Sequence, residues 1–166
     1  MSVFAEPTFP SYRSFKLFLP FKSFTVFIIS RTVDYPYDLL LLADPCREIL
    51  DGYLYGSDCF VANIDDVPIG VIVIQKQENG LAEIMNLAVS EKWQRKRVAI
   101  RLLEYVFTEW VPLNGIRRLK VCTGNSGASA FMLYQRAGFD LKDIDRDYFV
   151  RVYPEPIWEN GVQCRH

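Results

Sequence analysis

The sequence predicts an α/β fold: a mixed, mostly antiparallel sheet with flanking helices. Three observations carry this. β-rich runs over residues 59–64, 67–75 and 81–89 are separated only by Asp65-Asp66 and by Glu78-Asn79-Gly80, both turn signals. The apolar period then becomes helical, with Ala99, Leu102, Leu103, Val106 and Trp110 on one face. A further β-rich run, "IRRLKVCT", follows. The helix is therefore a crossover, and the two strands it joins should be parallel.

The elements follow in order. Residues 1–25 form an N-terminal segment without a clear pattern, and residues 26–166 read as a single domain. "FTVFIISRTV" alternates as a first strand, with Val26 and Ile28 on one face. Asp44-Pro45 precedes "CREILDGYLYG", where Ile49, Leu50, Tyr53 and Leu54 fall at helical spacing and Gly56 is a stop. The three β-rich runs make an antiparallel meander. The crossover helix ends at Pro112 and Asn114-Gly115, and "GNSG" is a turn. "ASAFMLYQRA" is a second helix closed by Gly138, and "FDLKDI" resumes as strand. The last segment sets Tyr148, Phe149, Tyr153 and Trp158 among Pro154, Pro156 and Gly161. It reads as a structured loop with aromatic walls, then a short strand stopping at His166.

Composition narrows the function. A chain of 166 residues suits one domain. With 50% hydrophobic and 23% charged residues, a packed core is expected rather than disorder. Lys and Arg number 19 against 20 Asp and Glu, a net charge of -1, which argues against general nucleic-acid binding. Cys46, Cys59, Cys122 and Cys164 form no CxxC pair. They read as reduced thiols, and Cys122 as a small core residue, which points to a reducing compartment, the cytoplasm. The single histidine is His166, so neither a histidine triad nor a multi-histidine metal site is expected. Lys16, Pro20 and Lys22 cut the apolar runs near the start, well short of the roughly 20 residues that a membrane helix needs. A signal peptide is not favoured either, and no membrane partner is expected.

The chemistry concentrates at "SEKWQRKRVAIRLLEY", where Lys92, Arg95, Lys96 and Arg97 crowd a helix start. A helix start leaves N–H groups unpaired and carries partial positive charge, so it suits a phosphate or pyrophosphate. The alternative is a solvated basic face. "EIMNLAVSEKWQRKRVAIRLLE" followed by "TGNSGASAFMLYQRAGF" resembles the Gcn5-related N-acetyltransferase superfamily, over roughly residues 59–141. Its turn fingerprint is Q/R-x-x-G-x-G/A. Gln94 fills the first position and Ala99 the last, while Arg97 stands where the family has glycine. Leu133, Tyr134, Gly138 and Phe139 match the family's LYxxxGF ending.

The resemblance implies an acyl-CoA N-acyltransferase-like fold and acetyl-CoA as co-substrate, with no metal. Backbone N–H groups of Arg95, Lys96, Arg97, Val98 and Ala99, after Gln94, would hold the pyrophosphate. Leu87 and Val89 would pair with the pantetheine arm, and an N–H near Leu87 would polarise the acetyl carbonyl. Asn125 would bond the pantetheine amide, and Tyr134 would protonate the departing thiolate. Glu83 matches the position of a glutamate base, with Glu155, Glu159 and Asp147 as rival acids. Strand alternation puts Glu83, Met85 and Leu87 on one face, and helical φ/ψ is open to arginine at position 97.

Each assignment has a structural alternative: an ordinary strand glutamate, a core tyrosine, a turn asparagine, or aromatic packing at Phe149, Tyr153 and Trp158. The expected activity is direct acetyl transfer to a primary amine, on a small molecule or a protein, and a homodimer is compatible with it. The alternative function is an impaired acyl-CoA-binding or protein-interaction module, or a truncated inactive variant. Arg97 and the short C-terminal strand distinguish these.

Overall fold

The computed structural model describes residues 2–7, 27–159 and 161–166, the first of these as backbone. Strand β1 (Ser2–Pro7) and strand β2 (Ile28–Thr32) come first, then helices α1 (Tyr37–Ala43) and α2 (Arg47–Leu54). Next is the meander of β3 (Ser57–Ile64), β4 (Val67–Lys76) and β5 (Leu81–Val89). Helix α3 (Val98–Tyr105) continues through a π turn at Val106–Trp110 into α4 (Val111–Leu113). The chain finishes with β6 (Arg118–Val121), α5 (Ala128–Arg136), β7 (Phe139–Asp145), α6 (Tyr148–Val152) and the hairpin β8 (Trp158–Glu159) and β9 (Val162–Gln163).

The central sheet is five-stranded in the order β2-β3-β4-β5-β6, and β1 pairs separately with β7. All pairings are antiparallel except β5 with β6, which is the parallel pair that the crossover demands. The β3–β4 turn works because Asp65 and Asp66 both take left-handed φ, 48° and 61°. Short polar side chains tolerate that region, and two such residues match the twist of a tight hairpin.

Sequence patterning gives no sign of α1. Four consecutive leucines, Leu39, Leu40, Leu41 and Leu42, carry no helical period, yet Leu39 and Leu40 are buried under the sheet. The C-terminal aromatic segment also differs from the expected loop, since Tyr148–Val152 is helical. β6 is shorter than the run "IRRLKVCT" suggests, because its pairing with β5 ends at Val121. Val26, placed with Ile28 on one strand face, lies outside the described residues, as do residues 8–25.

Two apolar layers sandwich the sheet. On one face Phe60, Ile72 and Ile74 pack with Val98, Leu102 and Leu103 of α3. On the other, Val61, Val71 and Val73 pack with Leu40 of α1 and Leu50 and Leu54 of α2. This is the period-2 alternation of a sheet covered on both sides. Gly70 lets α3 press close: a Cβ there would stand 2.7 Å from Val98 Cγ1 and 3.3 Å from Leu102 Cδ1. The π turn carries Trp110 round so that its Nε1–H donates to Asp58 Oδ2 at 2.9 Å.

Alternation breaks near the start of β4, where Ala62 pairs with Gly70 but Asn63 with Pro68, and again in β5. Val73 pairs with Asn86 and Ile74 with Ile84, so Met85 is the extra residue of a β-bulge. Before the bulge, Ala82 and Ile84 face α3; after it, Leu87 and Val89 do. Met85 and Ala88 belong to the α1–α2 face. Glu83, Met85 and Leu87 therefore do not share a face, contrary to simple alternation. Glu83 and Met85 look toward α1 and α2, and Leu87 toward α3.

Candidate active site

The site begins where β5 and β6 part. Their parallel pairing runs from Leu81 with Arg118 to Ile84 with Val121 and ends there. β4 continues to pair with β5 as far as Val89. Among the described residues, the other edge of β5 beyond Ile84 is thus left without a strand partner. Buried backbone groups require partners, so an extended amide-bearing ligand fits this edge. Leu87 and Val89 lie on the open stretch.

At the end of β5 the chain turns into α3. Gln94 closes the turn by donating from Nε2 to Val89 O at 3.3 Å. Arg95 and Arg97 have left-handed φ, 58° and 69°, and Lys96 between them does not. Alternating handedness folds successive N–H groups toward one concave side, an anion nest. Arg97 is the N-cap of α3 and Arg101 N–H is the first to close on its carbonyl, at 3.1 Å. The amides of Val98, Ala99 and Ile100 are therefore first-turn donors of the kind that anions accept from. Arg97 does not use the helical φ/ψ open to it. It holds a backbone angle natural to glycine, and its side chain is exposed. Lys92, Arg95 and Lys96 are also exposed around the turn, with Lys96 Nζ 4.5 Å from the Trp93 ring centre.

Tyr134 is carried on α5 and buried, edge-on to Phe139 with ring centres 5.6 Å apart. Burial first, and then the neighbouring Cys122, pushes its hydroxyl pKa far above the ordinary tyrosine range. The phenol is thus protonated throughout the neutral range. Cys122 is not the inert core residue that its apolar strand suggests. It is half-buried and its Sγ donates to Glu83 Oε1 at 3.3 Å. Glu83 Oε2 also accepts from Gln77 Nε2 at 2.8 Å and meets Lys120 Nζ at 2.8 Å. Glu83 is therefore a networked carboxylate, not a free strand glutamate.

Asn125 is engaged with the chain's own end. Its Oδ1 accepts from the N–H groups of Arg165 at 2.9 Å and His166 at 3.2 Å, and its own N–H donates to His166 O at 2.9 Å. Of the rival acids, Asp147 is bound to Arg165 at 3.0 Å, and Glu159 accepts from Ser126 Oγ at 2.7 Å. Glu155 is exposed. Phe149 and Tyr153 stack at 5.5 Å and Tyr148 meets Phe149 edge-on at 5.4 Å, while Trp158 is 66% exposed and stands apart.

Sequence reasoning passes over four residues of this region. Lys120 pairs with Glu83 across the parallel strands. Asp44, Tyr53 and Asn86 form a buried polar group under α1. An asparagine inside the apolar run "EIMNLAV" is the signal that could have exposed them, because a polar side chain in a buried strand needs partners.

Among the described residues, no group of three or more His, Cys, Asp or Glu side chains could hold a metal ion, and no helix is long and apolar enough to cross a membrane. The four cysteines form no disulfide.

Comparison with known proteins agrees with this geometry. The sequence pattern of the Acetyltransferase (GNAT) family matches residues 31–139. An uncharacterized N-acetyltransferase of Bacillus subtilis (strain 168), YvbK, is 42% identical over 134 residues, 81% of this chain and 86% of that one. A GNAT family acetyltransferase from Elizabethkingia anophelis, solved with acetyl-CoA bound, superposes with a TM-score of 0.79 at 37% identity, covering 84% of this chain and 92% of its own. A Bacillus subtilis acetyltransferase solved with CoA gives a TM-score of 0.77 at 38% identity, with 84% and 93% covered.

Proposed function

This chain belongs to the GNAT family of acetyltransferases, and on that premise we propose that it moves the acetyl group of acetyl-CoA directly to a primary amine. The observation that carries the reading is the continuity of an open strand edge at Leu87 and Val89 with the nest formed by Arg95 and Arg97. The edge suits an extended diamide arm. The nest and the first turn of α3 suit a pyrophosphate at the end of that arm. Solved relatives at 37% and 38% identity hold acetyl-CoA and CoA.

In this reading the amides of Arg95, Lys96, Arg97, Val98 and Ala99 bind the pyrophosphate and Gln94 holds the turn. An N–H near Leu87 faces the thioester oxygen and stabilises the charge that develops on it. The amine nitrogen attacks the carbonyl carbon, a C–N bond forms, and the C–S bond breaks. Tyr134, still protonated, gives its proton to the departing thiolate. Glu83, held as a carboxylate by Lys120 beforehand, collects the amine's proton through water and becomes the neutral acid. Asn125 we assign to holding the 124–126 loop against the chain's end, since its amide is already occupied there. The acceptor is a small molecule or a protein amine, and the setting is the cytoplasm.

Calorimetric titration of acetyl-CoA into the protein tests the reading, followed by thiol release measured with a panel of primary amines. Saturable binding and amine-dependent release of CoA are expected. Binding without release from any amine supports instead the acyl-CoA-binding module, and absence of binding removes both.

A further inference from the structure

The acceptor end of the site is the part that family membership leaves open. On the α1–α2 face, beside the β5 bulge, three observations converge. Asp44 ends α1 and is 6% exposed, an unusual place for a carboxylate. Its Oδ1 accepts from Cys46 N–H at 3.2 Å, and the hydroxyls of Tyr53 and Tyr153 lie within electrostatic reach of it. A carboxylate offers about four lone-pair positions, and this one backbone donor leaves others unused.

Asn86 is the second observation. It is 3% exposed, and its Nδ2 donates to Leu40 O at 3.1 Å and to Tyr53 Oη at 3.0 Å. Its Oδ1 is buried with no hydrogen-bond partner among the described residues. A native chain seldom leaves such an atom unmatched without a reason. The Tyr53 hydroxyl accepts from Asn86 Nδ2 and lies within electrostatic reach of Asp44. Asp44 N–H and Asn86 Nδ2 both donate to Leu40 O, so the end of α1 is fixed to β5 at this point.

Third, Tyr148, Phe149 and Tyr153 make an aromatic wall, and Tyr153 lies within electrostatic reach of Asp44. Burial chiefly shifts the Tyr148 hydroxyl, and Cys122, Glu83 and Asp44 add to it. Tyr148 therefore lies within electrostatic reach of both Asp44 and the Glu83 network. A turn role accounts for one bond to Asp44, the one from Cys46 N–H. It leaves the two phenols and the orphan amide oxygen unexplained.

We propose that Asp44 and Asn86 hold the acceptor's ammonium group, an unused lone pair of Asp44 and Oδ1 of Asn86 each receiving one N–H. Cations favour ring faces, and the wall of Tyr148 and Tyr153 takes the apolar body attached to the amine. The substrate class is a small primary amine on an aromatic or aliphatic body. The assignment rests on the acetyl-transfer reading and concerns binding, with Glu83 left to collect the proton.

The test uses the full chain saturated with CoA, titrated with phenethylammonium and separately with 2-phenylethanol, a neutral probe of similar shape. The wild type should bind the amine at least tenfold more tightly than the alcohol. Asp44→Asn should abolish that preference while CoA affinity is unchanged, because asparagine still offers an oxygen to Cys46 N–H and the phenols. Equal affinity for both probes in the wild type, or a preference surviving in Asp44→Asn, overturns the proposal. A crystal of the wild type with CoA and phenethylammonium gives a reading that does not depend on the variant folding. The nitrogen should lie within hydrogen-bond reach of Asp44, and an ammonium placed elsewhere overturns the assignment. Failure of CoA itself to bind would instead remove the acetyl-transfer reading.

Discussion

Arg97 concentrates the physical tension of the site in one backbone angle. A left-handed φ costs an L-residue roughly 1–2 kcal/mol that glycine does not incur, part of which glycine returns as unfolded-state entropy. Arg97→Gly should therefore raise stability by about 0.5–1 kcal/mol, or a few degrees in Tm. Acetyl-CoA affinity should change by less than about threefold, since backbone N–H groups do the holding and exposed charges contribute little. Calorimetry and thermal melting check both, and a tenfold loss of affinity would show that the side chain itself grips the cofactor. Tyr134 is the complementary case, since its proposed role lies in its side chain. Tyr134→Phe should lower kcat by about a hundredfold, a typical acid–base contribution, with CoA affinity unchanged. Equal turnover would remove Tyr134 from its role.

The elements show what patterning can and cannot deliver. The meander, the crossover helix and the helix closed by Gly138 were legible, because each has a clean period and a turn residue at its end. α1 was not, since a leucine run has no period, and neither was α6, since its aromatics and flanking prolines resemble a loop. The bulge at Met85 leaves no trace in composition, yet it decides which face Glu83 occupies. In the candidate site, the turn before α3 and the position of Tyr134 on α5 could be placed from motif order. The partners of Glu83 and Asn125 could not, because they come from neighbouring strands and from the chain's end. Gly70 sets the depth at which α3 rests on β4. Gly70→Ala would drive a methyl onto Val98, a stiff β-branched residue 1% exposed. We expect a loss of about 1–3 kcal/mol from overpacking, read by urea unfolding. Acetyl-CoA binding should weaken with it as the helix start is displaced, and unchanged binding would uncouple the helix depth from the cradle.

Across the whole molecule, carboxylates in different settings make stability depend on pH in opposing senses. Burial raises the pKa of Asp44, against the hydrogen bonds from Cys46, Tyr153 and Tyr53 that lower it. Just above the ordinary aspartate range, the folded chain still holds a proton there that the unfolded chain has released. Stability from this group therefore falls as pH rises through the folded pKa and is flat beyond it. Asp51 and Asp147 act the other way. A hydrogen bond from Tyr37 holds Asp51 low and one from Arg165 holds Asp147 low, so their contributions are present above the ordinary range and lost as pH falls. Asp44→Asn should remove the falling component only, and urea unfolding between pH 4 and 7, roughly the window of these groups, will show it as a smaller loss of stability on the alkaline side. An unchanged pH profile would mean that Asp44 titrates alike in both states.

The extra residue in β5 has a consequence for how such a protein can change over time. One strand presents residues to two layers and its phase shifts at the bulge: Ala82, Ile84, Leu87 and Val89 face α3, while Met85 and Ala88 face α1 and α2. In the proposed reading, substitutions on the α1–α2 face would retune the amine side without touching the edge assigned to acetyl-CoA. Acceptor preference is thereby free to drift while the acyl donor stays fixed.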